Sequence, residues 1–433
     1  MTLRRIAWFF LAFLVLVAAL WAAALHFSRP VPAAAPAPHR FDVAVGRDEE
    51  APHAVDYQRL DERLQRMMAD PAMVGMAVGV VEDGRIRFVK GYGVTYAGGN
   101  EQVTPDTVFR WASLSKGVAA DMVASLANDG RLSLDDPVGR WAASLRLPGG
   151  NENVATVANL LSHTLGLFGH AQDGKLEDGL DPHYLRGTLA TLHNICAPGT
   201  CHAYQNVAYD AASEIVERVT GRPYGEVVQE RFFAPLGMAT ASTSRAGLMG
   251  SRTGWARPHN GAHPLRPEEV TDAYYRVPAA GGINGSIKDL AIWMIANMGL
   301  APDVLPQAVL NAVQTPRIRT PGENFRRRKF RERTASTEYG LGWRIMDYAG
   351  HRVIGHHGGV HGYRSMIMFD PALHSGVVVL WNGSSTKPNA IEYEVMDMIY
   401  QLPFRDWLEL EGPAEPMPVD ENGNAVRADN EGG

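Results

Sequence analysis

Apolar and polar positions alternate in two different rhythms along this chain. Met76–Val81 and Ile86–Tyr92 are short apolar runs separated by Glu82-Asp83-Gly84-Arg85, which predicts a β-hairpin with a glycine-containing turn. Leu114, Val118, Met122 and Leu126 recur every fourth residue and predict a helix over 113–129, stopped by Asp129-Gly130. Val207, Ala211, Ile215 and Val219 repeat that spacing and predict a helix over 207–219, ended by Gly221 and Pro223. Further on the pattern returns to short apolar segments: 352–357, 363–369 and 376–381 read as strands, and 391–402 as a closing helix. Strands at both ends with helices between them predict an α+β fold, one sheet built from distant segments plus an inserted helical region.

The ends of the chain differ from its body. Ile6–Leu25 is 20 residues without a charge, preceded by Arg4 and Arg5. At 1.5 Å per residue a helix of that length is about 30 Å long, enough to cross a bilayer core with its amino terminus in the cytoplasm. Residues 1–29 therefore read as a signal-anchor or a signal peptide, and either one exports the remainder. Residues 30–56 read as a Pro/Ala-rich linker, 57–405 as the globular domain and 406–433 as a disordered acidic tail.

The 433 residues carry 41 basic and 47 acidic side chains, a net charge of -6 that argues against nucleic acid as the partner. The segment 409–433 alone holds seven acids and one base, so residues 1–408 sum to zero. Arg317–Arg333 holds eight bases and two acids. It reads as a solvated flexible loop or as a contact for anionic envelope polymers.

Three stretches could carry chemistry. In Ser113-Leu114-Ser115-Lys116 the helical i, i+3 spacing sets an amine beside a hydroxyl, so a lysine freed of its proton can activate the serine. A second match, Ser384-Ser385-Thr386-Lys387, is followed by Pro388 and lacks a helical pattern. Tyr204-Gln205-Asn206 offers a phenol, whose pKa a nearby lysine cation would lower, and an amide that can donate and accept. His356-His357-Gly358-Gly359, near a strand end, would let a substrate backbone approach and give an N–H to an oxyanion. Taken singly, each stretch also has an ordinary structural reading as a cap, a packed ring or a turn.

Their order, with Val108–Ala112, Leu132–Pro137, Leu160–Leu167, Ala279–Asn284, Tyr339–Trp343 and Gly376–Asn382, resembles the serine β-lactamase-like family over roughly residues 57–402. That family includes class C β-lactamases, D-Ala-D-Ala carboxypeptidases and related esterases. The resemblance implies its fold, an antiparallel sheet flanked by helices. It implies Ser113 as acylated nucleophile, Lys116 as its proton acceptor and Tyr204 as second acid/base. Asn206 would contact the acyl-side amide, and His356, His357 and Gly358 would stand at the family's Lys/His-Thr/Ser-Gly triplet. The N–H groups of Ser113 and Gly359 would form the oxyanion hole. No metal or organic cofactor is implied, and the partner is a small-molecule or peptide substrate with a scissile amide or ester. Histidine at 356 and 357 weakens the fixed positive charge that a carboxylate ligand needs. A catalytically silent binding or regulatory member is the competing reading.

His193, Cys196, Cys201 and His202 form a compact donor group open to disulfide, free-thiol or zinc readings, and export favours the Cys196–Cys201 bridge. Adjacent strand residues point to opposite faces, so His356 and His357 would not share one ion.

Overall fold

The computed structural model describes residues 37–44, 52–261 and 265–412. The apolar run at 6–25, the linker up to 36 and the tail from 413 lie outside the described residues. Among the described residues no helix is long and apolar enough to cross a membrane. Contacts divide the chain into Met1–Ala37 and Pro38–Gly433, and everything below concerns the second unit.

Among the described residues ten strands organise it: β1 (Gly75–Glu82), β2 (Arg85–Gly93), β3 (Phe109–Arg110), β4 (Asn284–Gly285), β5 (Ile318–Arg319), β6 (Thr334–Tyr339), β7 (Arg344–Tyr348), β8 (His351–Val360), β9 (Tyr363–Asp370) and β10 (Ser375–Trp381). Eight form one antiparallel sheet in the order β2-β1-β10-β9-β8-β7-β6-β5, while β3 and β4 pair separately. The early hairpin thus docks beside the last strand, with Met76 opposite Trp381 and Val81 opposite Gly376. Its turn residues Asp83 and Gly84 both have positive φ, 50° and 74°, as a tight two-residue hairpin requires.

The period-two alternation of the strands separates two cores. Val378, Leu380, Ile367 and Phe369 face one, and Val377, Val379, Met366 and Met368 face the other. The second core is covered by α1 (Tyr57–Met68) and by the helix at the carboxyl end, Ile391–Ile399. In α1, Asp56 caps the first turn by accepting from the Arg59 N–H at 2.9 Å, and Leu60, Leu64 and Met67 form the inward stripe. The first core receives α2 (Ser115–Asn128), α3 (Ala211–Thr220), α4 (Ile287–Ile295) and α5 (Gln307–Gln314); the carboxyl-end helix is α6. The architecture is α+β, as expected, with the inserted helical region between β3 and β4.

Four expectations need correction. The helix expected from 113 starts at 115, because Ala112 sits at φ 50° and makes residues 112–114 a 3₁₀ turn. The helix expected from 207 starts at 211, because the Asp210 N–H bonds the Asn206 carbonyl at 3.1 Å and winds a preceding turn. Residues 317–333 carry regular elements rather than forming a loop throughout. They contain β5, the short helix Pro321–Arg326 and two inward guanidiniums, Arg327 on Glu392 at 3.0 Å and Arg333 on Asp397 at 2.8 Å. The fold also extends past 405: Trp407 and Leu408 are buried, and Asp406 and Glu411 pair with Arg63.

Candidate active site

Ser113 stands on the sharp turn between β3 and α2. The Trp111 N–H donates to the Ile283 carbonyl at 2.8 Å, and the Ser115 hydroxyl donates to the Ala112 carbonyl at 2.7 Å. The Ile283 N–H returns to Ser115 Oγ at 3.0 Å. These bonds hold Ala112 in a left-handed conformation that costs a non-glycine residue about 1–3 kcal/mol. Strand β8 crosses behind the turn. A Cβ at position 358 would lie 2.5 Å from the Trp111 carbonyl oxygen, so only glycine lets the strand come this close.

Lys116, one helical turn on, is fully buried. Its Nζ lies 2.6 Å from Asn206 Oδ1, 2.8 Å from the Ala280 carbonyl and 3.3 Å from Ser113 Oγ. Burial brings its pKa down to about 7, with Arg344 lowering it further and Asp173 and Asp210 opposing. A large fraction of these amines is therefore neutral at pH 7 and able to accept a proton.

The Tyr204 hydroxyl hydrogen-bonds Ser113, and its ring centroid lies 4.7 Å from Lys116 Nζ. The expected lowering of its pKa does not occur. Desolvation dominates and pushes the phenol up, outweighing the hydrogen bond with Ser113 and the charge of Arg344. Tyr204 therefore keeps its proton in the neutral range.

Asn206 is buried with both amide ends engaged. Oδ1 accepts from Lys116, and Nδ2 donates to Asp173 Oδ2 at 2.7 Å. The amide thus joins the lysine to that carboxylate. Asp173, which no sequence motif singles out, also meets His170 Nδ1 at 2.9 Å.

The two histidines part. In register, His356 lies opposite Ile367 and His357 opposite Met366, residues of different cores. His356 faces the Ser113 side, where its Nε2 accepts from the Tyr339 hydroxyl at 2.9 Å and its Nδ1 lies 2.7 Å from the His357 carbonyl. Burial, with Arg344 and Lys116 nearby, holds its pKa well below the usual imidazole range, so it is neutral and carries no charge to a substrate. His357 faces away, its Nε2 2.7 Å from Glu392 Oε2. The expectation that it binds substrate is corrected by the strand's own alternation. A cation does reach this region: Arg344 on β7 lies over the rings of Tyr204 and Tyr339 and pairs with Glu323 at 3.0 Å. It follows Trp343 in the chain, and nothing in the local pattern marks it.

Cys196 and Cys201 are joined, as expected, so their sulfurs hold one another rather than a metal. Among the described residues no group of three or more His, Cys, Asp and Glu side chains converges as metal ligands. The bridged loop is tied down by Ile195 N–H to the Gly166 carbonyl at 2.8 Å and Gly199 N–H to the Thr164 carbonyl at 2.7 Å. Cys201, His202, Tyr204 and His170 form one wall of a groove of ≈ 520 Å³, and Ile318–Glu323 the other.

The turn, the buried amine and the phenol define a serine-lysine-tyrosine site on an α+β sheet. The chain belongs to the beta-lactamase family, whose model matches residues 60–397. It is 28% identical over 343 residues to the unguisins hydrolase ungD' of Aspergillus campestris, covering 75% of this chain and 61% of that protein. It is 33% identical over 172 residues to the D-alanyl-D-alanine-carboxypeptidase/endopeptidase AmpH of Escherichia coli, covering 38% of this chain and 44% of that protein. The chain thus spans less than two thirds of either relative's length. In fold it matches the octameric penicillin-binding protein homologue from Pyrococcus abyssi, with a TM-score of 0.71 and 24% identity over 80% of this chain and 78% of that one.

Proposed function

We propose that this chain is an extracytoplasmic serine hydrolase that cleaves an amide or ester through an acyl-enzyme on Ser113. The observation that carries the reading is the set of partners around Lys116. A neutral amine has two N–H bonds and one lone pair. The carbonyl oxygens of Asn206 and Ala280 can only accept, so they take the two hydrogens. The lone pair is left for the third neighbour, the Ser113 hydroxyl, at 3.3 Å.

As Ser113 Oγ bonds the scissile carbonyl carbon, its proton moves to Lys116 and the carbonyl oxygen takes the negative charge. The N–H groups of Ser113 and Gly359 would hold that oxyanion. Collapse breaks the bond to the leaving group, which takes a proton from Tyr204, and Tyr204 is replenished from the lysine ammonium. Water then attacks the acyl-serine by the same route in reverse. No metal or organic cofactor enters. On its far edge β7 pairs with β8 only as far as Gly355, so residues 356–360 can meet an extended substrate, as a peptide-like acyl donor would be.

Parallel turnover of nitrocefin, a D-Ala-D-Ala peptide and short p-nitrophenyl esters tests the reading. Hydrolysis of at least one, abolished by Ser113→Ala, is expected; turnover that persists in the variant overturns the assignment. AmpH, a D-alanyl-D-alanine-carboxypeptidase/endopeptidase by name, supports the peptide-like amide first.

Export is supported by Arg4 and Arg5 ahead of the uncharged run 6–25 and by a disulfide on the globular body. Membrane attachment through that run is the reading to test, by carbonate extraction of membranes carrying the full chain. Contact of 317–333 with anionic envelope polymers has weaker support, since Arg327 and Arg333 are turned inward.

A further inference from the structure

Asn206 can serve Lys116 only in one of its two amide orientations. Turned by 180°, it would offer Nδ2–H to the amine and compete with Ser113 for the lone pair. What fixes the orientation is the carboxylate on its other side, since Nδ2 donates to Asp173 Oδ2 at 2.7 Å and a carboxylate can only accept. Asp173 is itself held from the solvent side by His170 at 2.9 Å. Its side chain is 13% exposed, and Oδ1 is buried with no hydrogen-bond partner. The carboxylate is therefore poorly hydrated, and its field falls on the interior it faces.

We infer that Asp173 is a positioning residue for the general base: through Asn206 it aims the Lys116 lone pair at Ser113, and its charge faces the amine across that one side chain. The inference rests on the proposed role of Ser113 and Lys116. Other groups surround the amine, but each is committed elsewhere or neutral. Asp210 is paired with Arg186 at 2.9 Å and accepts from the Ala279 N–H. Arg344 is paired with Glu323. Burial holds His163 and His356 in the neutral imidazole form and Tyr204 and Tyr209 in the phenol form. Asp173 is the carboxylate joined to Lys116 through a single intervening side chain.

The test is the pH dependence of inactivation by a fluorophosphonate, followed by intact mass, for the full chain and for Asp173→Asn, Asp173→Ala and Asp173→Glu. Removing the negative charge makes the ammonium less stable. The acidic limb should therefore move down by about one pH unit in both Asn and Ala variants. The Ala variant, which also frees the amide to turn, should lose about tenfold or more of its plateau rate. Asp173→Glu keeps the charge and should keep the limb. If the Asn and Ala variants do not fold by circular dichroism, the Glu variant decides, because a shifted limb there contradicts the inference. A limb that stays in place when the charge is removed overturns it. Absence of labelling in the unsubstituted protein overturns the Ser113 reading instead.

Discussion

His357 and Glu392 form a buried-side pair, Nε2 to Oε2 at 2.7 Å, on the face of the sheet opposite Ser113. Burial raises the Glu392 pKa, but His357 and Arg327 outweigh it and leave the carboxyl below its ordinary 4.5. Stability from this carboxylate is thus present above about pH 4.5 and lost as falling pH protonates it. His357→Ala should cost about 1–3 kcal/mol at pH 7 by denaturant melt, with Arg327 still paired. The cost should shrink below pH 4, and kcat/KM should stay within about twofold.

Tyr204 and Lys116 set a second expectation. The amine must be neutral to act, so activity should rise with pH through about 7. The phenol is held above its ordinary range and stays protonated, so the profile should then be flat to about pH 10. Tyr204→Phe should lower kcat by about 10²–10⁴ with folding intact. A fall in rate between pH 8 and 9.5 would contradict the assignment of Tyr204 as the acid.

Asp121, buried in α2, has its pKa raised to about 8 by desolvation, with Trp343 and Asn297 as partners. A carboxyl held above its unfolded value of 3.8 favours folding most in acid, and its contribution falls as pH rises from about 4 to 8. Asp121→Asn keeps an acceptor for the Trp343 N–H and removes the titration. It should stabilise the protein at pH 8 by more than about 1.4 kcal/mol and bring no gain at pH 4, as thermal melts at the two pH values would show.

The Cys196–Cys201 bridge closes a short loop on the groove wall. Replacing both cysteines with serine should cost on the order of 2 kcal/mol and raise KM more than it lowers kcat. Thiol titration of the denatured, unreduced protein should find none free.

What the sequence made legible was local. Ser113 and Lys116 share one helical turn, and the hairpin and late strands show in alternation and turn residues alone. Asp173 and Arg344 escaped because their roles arise across 33 and 140 residues, through Asn206 and Tyr204, with no pattern around either. The side of His357 was readable: the same alternation that forbids the two histidines one metal ion also denies them one substrate. Composition places Asp406–Glu411 with the acidic tail, yet Trp407 packs in the core and Arg63 gathers the acids.

Everything proposed for this site depends on Ser113 being a nucleophile activated by Lys116. Incubation of the full chain with a fluorophosphonate, followed by intact-mass and peptide mapping, tests it most directly. One adduct per chain is expected, on Ser113, lost in Ser113→Ala and strongly slowed in Lys116→Ala. A correctly folded protein that gains no mass, or gains it on another serine, would contradict it.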